Sequence, residues 1–100
     1  MKVKWSELAE LRAAEAMDYI ARERPQTAVA WLDELLARVA QLDRFPNRGR
    51  VVPEIGRPEY RELIIGPYRV VYRVDPARVV ILTVRHGRQD WDDAEVLDGS

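Results

Sequence analysis

The chain contains no cysteine, one histidine (His86), two serines (Ser6 and Ser100) and only two lysines among its sixteen basic residues. Each scarcity closes off a class of chemistry. Without cysteine there is neither a disulfide nor a thiolate metal site to staple the fold. A lone histidine cannot build the usual zinc ligand sets, so no metal and no cofactor are expected. Ser6 is placed to begin a helix and Ser100 is the last residue, so no serine triad is expected. The five glycines form no glycine-rich phosphate loop. Apolar runs such as Val79 to Val84 are far shorter than the roughly 20 residues needed to cross a bilayer. The N-terminus lacks the charged start and apolar run of a signal peptide. The expectation is a soluble, cytoplasmic protein with no membrane partner.

What is present fits one domain. The chain has 100 residues, 47% of them hydrophobic, and a domain of this size buries only about 60–70% of its unfolded surface. The net charge of −1 conceals a split. Ten arginines against four acids between Arg44 and Arg88 give +6, whereas five acids and no base from Gln89 onward give −5. Such a middle suits an acidic partner surface or nucleic acid. A mixed, solvated surface partly neutralised by its own tail fits the same numbers.

Val3 to Trp5 reads as a short strand. Ser6 can cap a helix, with Glu7 and Glu10 in the first turn facing the positive end of its dipole. That helix is expected from about Glu7 to Glu23, with Ala9, Ala13, Ala16, Met17 and Ile20 on its apolar stripe and Leu11 exposed. Pro25 ends it and can start a second helix, expected from Pro25 to Asp43. The second stripe is Ala28, Trp31, Leu32, Leu35, Val39 and Leu42, a helical period held over about four turns. A loop through Pro53, Gly56 and Pro58 follows. Three strands are then expected: Tyr60–Ile65, Tyr68–Val74 and Arg78–His86, joined by Gly66-Pro67 and Asp75-Pro76-Ala77 turns. The order β-α-α-β-β-β gives an α+β fold, with an N-terminal strand and an antiparallel helical hairpin packed on one face of an antiparallel sheet. Residues 1–88 form the domain and residues 89–100 a polar, acidic, loosely held tail.

Strand alternation sorts the candidate site residues. If Val74 pairs with Arg78, then Arg69 faces Thr83, Arg73 faces Val79 and Val71 faces Ile81. Arg69, Arg73 and Arg85 then share an outer face. Tyr68, Val70, Tyr72, Val74, Val80, Leu82 and Val84 form the face towards the helices, with His86 on the same parity at the strand end. A bulge would change this assignment, because a one-residue slip swaps faces. The arginines either bind phosphates or a partner's carboxylates, or pair with Glu54, Glu59, Glu62 or the acidic tail. His86 is either a proton donor or acceptor or a strand-end histidine bonded to backbone. Trp5, Trp31 and Tyr72 are expected in the core. Trp91 is expected to dock either back onto the domain or onto a partner.

Taken together, these pieces resemble the RelE/ParE family of toxins from bacterial type II toxin–antitoxin modules. The matching segments are Tyr19-Ile20-Ala21 with Pro25 behind it, Phe45-Pro46-Asn47-Arg48-Gly49-Arg50, Val52-Pro53-Glu54 and Tyr60-Arg61-Glu62-Leu63. Tyr68-Arg69-Val70-Val71-Tyr72-Arg73-Val74 and Val84-Arg85-His86-Gly87-Arg88-Gln89-Asp90 complete the set. The resemblance implies a growth-inhibiting toxin, of the kind that stabilises plasmids, held inactive by a cognate antitoxin protein. It implies a dimer or a toxin–antitoxin hetero-oligomer as the assembly. Partner contacts would fall on Arg61, Arg69, Arg73, Arg85, Arg88 and Trp91.

One branch of that family, the RelE-like one, cuts mRNA on the ribosome without a metal. The ParE-like branch poisons DNA gyrase. The ribonuclease branch tends to read Gly-His-Arg at the last strand's end, with a tyrosine close behind, whereas this chain reads His86-Gly87-Arg88 with no tyrosine in the tail. That order, the slightly acidic charge and the long helical hairpin place the chain nearer the ParE branch, with gyrase as target. The alternative, a ribosome-dependent mRNA endonuclease, would use Glu54 as base, Arg69 on the phosphate and His86 as acid. A non-toxic, antitoxin-binding member is the third reading.

Overall fold

The structure is a computed structural model that describes residues 1–97. Strand β1 (Lys2–Trp5) leads into helix α1 (Glu7–Ala21), and helix α2 (Pro25–Ala40) returns antiparallel to it and ends in a 3-10 turn, Gln41–Asp43. Strands β2 (Arg50–Val51), β3 (Tyr60–Ile65), β4 (Tyr68–Val74) and β5 (Arg78–His86) follow, then a short helix α3 (Asp93–Leu97). The five strands form one sheet in the order β1-β5-β4-β3-β2. Strands β2 to β5 are an antiparallel meander, and β1 lies parallel to β5 at the sheet edge.

Local chemistry explains the element ends. The Ser6 hydroxyl accepts the Ala9 N–H at 3.0 Å, closing the first turn of α1. The same hydroxyl donates to the Leu82 carbonyl at 3.1 Å, and the Ser6 N–H donates to the Ile81 carbonyl at 3.0 Å. One residue therefore caps α1 and anchors it to β5. Pro25 occupies the first turn of α2, where its missing N–H costs no bond. Both helices end earlier than their apolar stripes suggested, at Ala21 rather than Glu23 and at Ala40 rather than Asp43. The second stripe nevertheless continues, because the 3-10 turn still buries Leu42.

The main core lies between the helical hairpin and one sheet face. Ala9, Ala13 and Ala16 of α1 and Trp31, Leu35 and Val39 of α2 pack on Leu63, Ile65, Tyr68, Val70, Tyr72, Val79, Ile81 and Val84. Leu11, off the stripe, is exposed. The Trp31 indole donates to the Ile65 carbonyl at 3.1 Å and Arg38 to the Ile64 carbonyl at 2.6 Å, tying α2 to the end of β3. The Tyr72 hydroxyl donates to the Pro46 carbonyl at 2.7 Å and accepts the Gly49 N–H at 2.8 Å, fixing the loop that enters β2.

The β4–β5 register differs from the expected one. Val74 pairs with Val79, Arg73 with Val80 and Tyr72 with Ile81, but Val71 pairs with Thr83 and Arg69 with Arg85. Leu82 is the extra residue of a β-bulge, which doubles one strand's residues against a single partner. The bulge exchanges faces along the first half of β5. Val79 and Ile81 point to the helices, and Val80 and Leu82 to the other side. A second core results, in which Val52, Tyr60, Val71, Val80, Leu82 and Val96 are buried together, with Ile55 and Trp91 packed on it.

That second core explains two further departures from expectation. The segment expected as plain loop contains β2, pairing Arg50 with Glu62 and Val51 with Arg61, and brings Val52 onto the outer sheet face. The tail expected to be loosely held forms α3, whose Val96 is 0% exposed. Its last three residues lie outside the described part of the chain.

Candidate functional site

The outer sheet face gathers the charged residues. Glu62 of β3 points away from the helices beside Val71 of β4, and its side chain is 0% exposed. A buried carboxylate must be paired. Glu62 Oε1 accepts from Arg69 Nε at 2.6 Å and Oε2 from Arg50 Nε at 2.6 Å. Arg69 in turn reaches Glu54 with both terminal nitrogens, at 2.8 and 2.7 Å. Its guanidinium also lies 4.9 Å from the centroid of the Trp91 ring. The result is a chain, Arg50–Glu62–Arg69–Glu54, capped by an aromatic ring.

Electrostatics follow that geometry. The hydrogen bonds from Arg69 hold the Glu54 carboxyl far below its ordinary value, from 4.5 to about 2. Those same bonds to Glu54 push the Arg69 pKa up. Across the sheet, Arg85 donates to Glu95 and to the Asp90 carbonyl. Glu95 also accepts from Thr83 and from Arg12 of α1, both at 3.0 Å. Burial acts against the charged form of Glu95, but hydrogen bonds from Arg12 and Thr83 and the Arg85 charge outweigh it, so its carboxyl lies below the ordinary value.

The other expected site residues sit apart from this pair of networks. Arg73 binds Asp75 at 2.7 and 3.1 Å, next to the β4–β5 turn. Arg61 turns to main chain, donating to the Pro58 and Gly49 carbonyls at 2.9 Å each. His86 stands opposite Tyr68, on the helix side of the sheet, with its ring edge-on to Tyr68 at 5.3 Å. Its Nδ1 accepts the Arg88 N–H at 3.1 Å. Glu54 and Arg69 are thus in direct contact, while His86 is on the opposite face.

Sequence reasoning singled out the arginines but gave their acids no order. Glu62 has a readable signal: it alternates with Arg61 and Leu63 in a strand and shares the parity of the arginine face. Arg12 and Glu95, 83 positions apart, carry no such signal, because only the packing of α1 and α3 against β5 brings them together.

A protein-family model described as the ParE toxin of the type II toxin–antitoxin system, parDE, matches residues 3–91. A protein of Sinorhizobium fredii (strain NBRC 101917 / NGR234), described as "Putative toxin Y4kP", is 32% identical over 93 residues, spanning 90% of this chain and 92% of that protein. In fold, the chain resembles one from the chromosomal ParDE toxin–antitoxin system of P. aeruginosa, with a TM-score of 0.71 at 22% identity over 86% of this chain and 95% of that one. The strand–hairpin–meander order and a match over nearly the whole length agree: the chain belongs to the ParE toxin family of type II toxin–antitoxin systems.

Proposed function

We propose that this toxin acts by binding rather than by hydrolysis, that its target is DNA gyrase, and that a cognate antitoxin neutralises it in the cytoplasm. One observation carries the choice against hydrolysis. Glu54 is locked in a two-pronged ion pair with Arg69, at a pKa of about 2, and His86 is on the far side of the sheet. A general base works best with a pKa near the operating pH, and a carboxylate this acidic takes a ribose hydroxyl proton poorly. An acid on the opposite face cannot protonate a leaving oxygen at the same phosphate. Binding needs neither group, only a surface of fixed shape and charge. The antitoxin reading rests on the family, and the ion-paired outer face offers it a surface of fixed shape and charge order.

Expression of the chain alone, with and without the antitoxin encoded beside it, tests the proposal. Growth arrest that the antitoxin relieves, together with inhibited supercoiling by purified gyrase, is the expected result. Cleaved mRNA on stalled ribosomes, abolished by Glu54→Gln, would overturn it in favour of the nuclease. Normal growth together with antitoxin binding would overturn it in favour of a non-toxic family member.

A further inference from the structure

On the helix side of the sheet, away from the Glu54–Arg69 pair, two adjoining cavities of about 650 and 600 Å³ share Tyr19, Tyr68 and His86. They form one cleft between the turn of the helical hairpin and the end of the β4–β5 pair. We propose that this cleft binds a nucleotide unit, its base among the Tyr19, Tyr68 and His86 rings and its phosphate on Arg22, Arg24 and the start of α2.

The cleft is built from aromatic rings. Trp31 and Tyr68 pack 5.1 Å apart at 57°, and Tyr68 meets His86 at 5.3 Å and 78°. Tyr19, 63% exposed, stands at the rim with the Arg22 guanidinium 6.0 Å from its ring centroid. Flat π-faces beside guanidinium groups are the combination on which bases stack without sequence preference. A volume of several hundred Å³ is in the range of small-molecule sites.

Its polar groups are unspent. Tyr68 is only 6% exposed, yet among the described residues its hydroxyl has no hydrogen-bond partner. The hydroxyl is the accessible edge of an otherwise buried side chain, so this donor is open to an occupant. His86 Nδ1 already accepts a backbone N–H, so a neutral ring carries its proton on Nε2. That second nitrogen has no partner among the described residues.

The charge at the mouth favours an anion. Neither Arg22 nor Arg24 is in an ion pair among the described residues. Helix α2 begins at Pro25, which has no N–H, and its N-cap Arg24 gives no side-chain hydrogen bond, so the Gln26 and Thr27 N–H groups lack an intrahelical partner at the positive dipole end, the usual setting for a phosphate. Of the four carboxylates lining the cleft, Glu34 is turned to Arg38 at 3.5 Å, Glu15 to Arg12 at 2.7 Å and Glu95 to Arg12 and Arg85, and Glu23 remains. A mononucleotide and the phosphorylated end of single-stranded nucleic acid present the same chemistry.

The test is an NMR titration of the full chain, following the Trp31 indole and His86 ring signals. The probes are adenosine monophosphate, adenosine, inorganic phosphate and a short single-stranded DNA with a terminal phosphate. Expected are saturable shifts with the mononucleotide, weakened about fivefold by Tyr68→Phe, which removes one hydrogen bond. Arg22→Ala combined with Arg24→Ala should weaken binding about tenfold. Binding of the DNA more than about tenfold tighter assigns the site to single strands, and equal affinity assigns it to free nucleotide. The proposal is overturned by no saturable shift in folded protein, by equal shifts with phosphate alone, or by affinities that all these variants leave unchanged.

Discussion

Arg69 and Arg85 stand directly opposite one another on β4 and β5, and each guanidinium turns to carboxylates of its own: Glu54 and Glu62 for Arg69, Glu95 for Arg85. Like charges facing across a strand pair are destabilising. The fold tolerates this pair because an acid reaches each one from a different element. The face that the charge count made basic is therefore internally compensated, and a partner meets a fixed lattice of ion pairs rather than loose arginines.

Breaking the buried part of that lattice is costly. Arg69→Ala removes the Glu54 contacts and half of the pairing of Glu62, and we expect a loss of about 3 kcal/mol in denaturant unfolding. Replacing both charges, with Glu62→Leu and Arg69→Met together, should restore most of it, because a buried pair costs nearly as much to desolvate as it returns. Equal losses in the single and double variants would refute this account.

Acid should weaken the fold through Glu54. Its folded pKa is depressed from 4.5 to about 2, so its contribution is fully present above about pH 4.5 and is lost as pH falls towards 2. Glu95, also lowered, contributes in the same sense. Urea midpoints measured from neutral pH to pH 2 should fall in that window, and Glu54→Gln should flatten the fall. Superimposable acid limbs would show that the ion pair does not contribute.

Val96 should matter as a core residue despite its place in the acidic tail. Its side chain is fully buried against Val71, Val80 and Leu82. Val96→Ala is expected to cost about 2 kcal/mol, or roughly 10 °C in thermal midpoint for a domain of this size. An unchanged midpoint would mean that α3 adds nothing to the fold.

Gly49 is irreplaceable on steric grounds. A Cβ there would lie 2.5 Å from the Glu62 carbonyl oxygen and 2.7 Å from the Tyr72 hydroxyl. Neither can retreat, since one is strand backbone and the other is held by Pro46 and Gly49 itself. Gly49→Ala should destabilise by about 2 kcal/mol, measured by calorimetry, whereas Gly56→Ala, with open space around it, should cost less, all of it from its positive φ of 71°.

Much of this architecture is written locally. The bounds of β3, β4 and β5, the Ser6 cap, the Pro25 start and both helix stripes follow from residue type and spacing, because each depends on a window of a few residues and on a repeat that matches one secondary structure. The near-full-length resemblance to a toxin family is local in the same sense, built from short segments in order. Tertiary structure alone decided the rest. Val79 to Val84 is apolar at nearly every position, so alternation cannot say which residues face the helices, and the bulge at Leu82 settles it by filling two cores at once. Strand β2, two residues long, exists only through its pairing with β3. Helix α3, five residues long, is far below the length at which a helix is stable alone and is held by burying Val96. The Arg12–Glu95 bond links residues with no shared pattern. The carboxylates that meet the arginines were settled by which apolar side chains had to be buried on each side of the sheet.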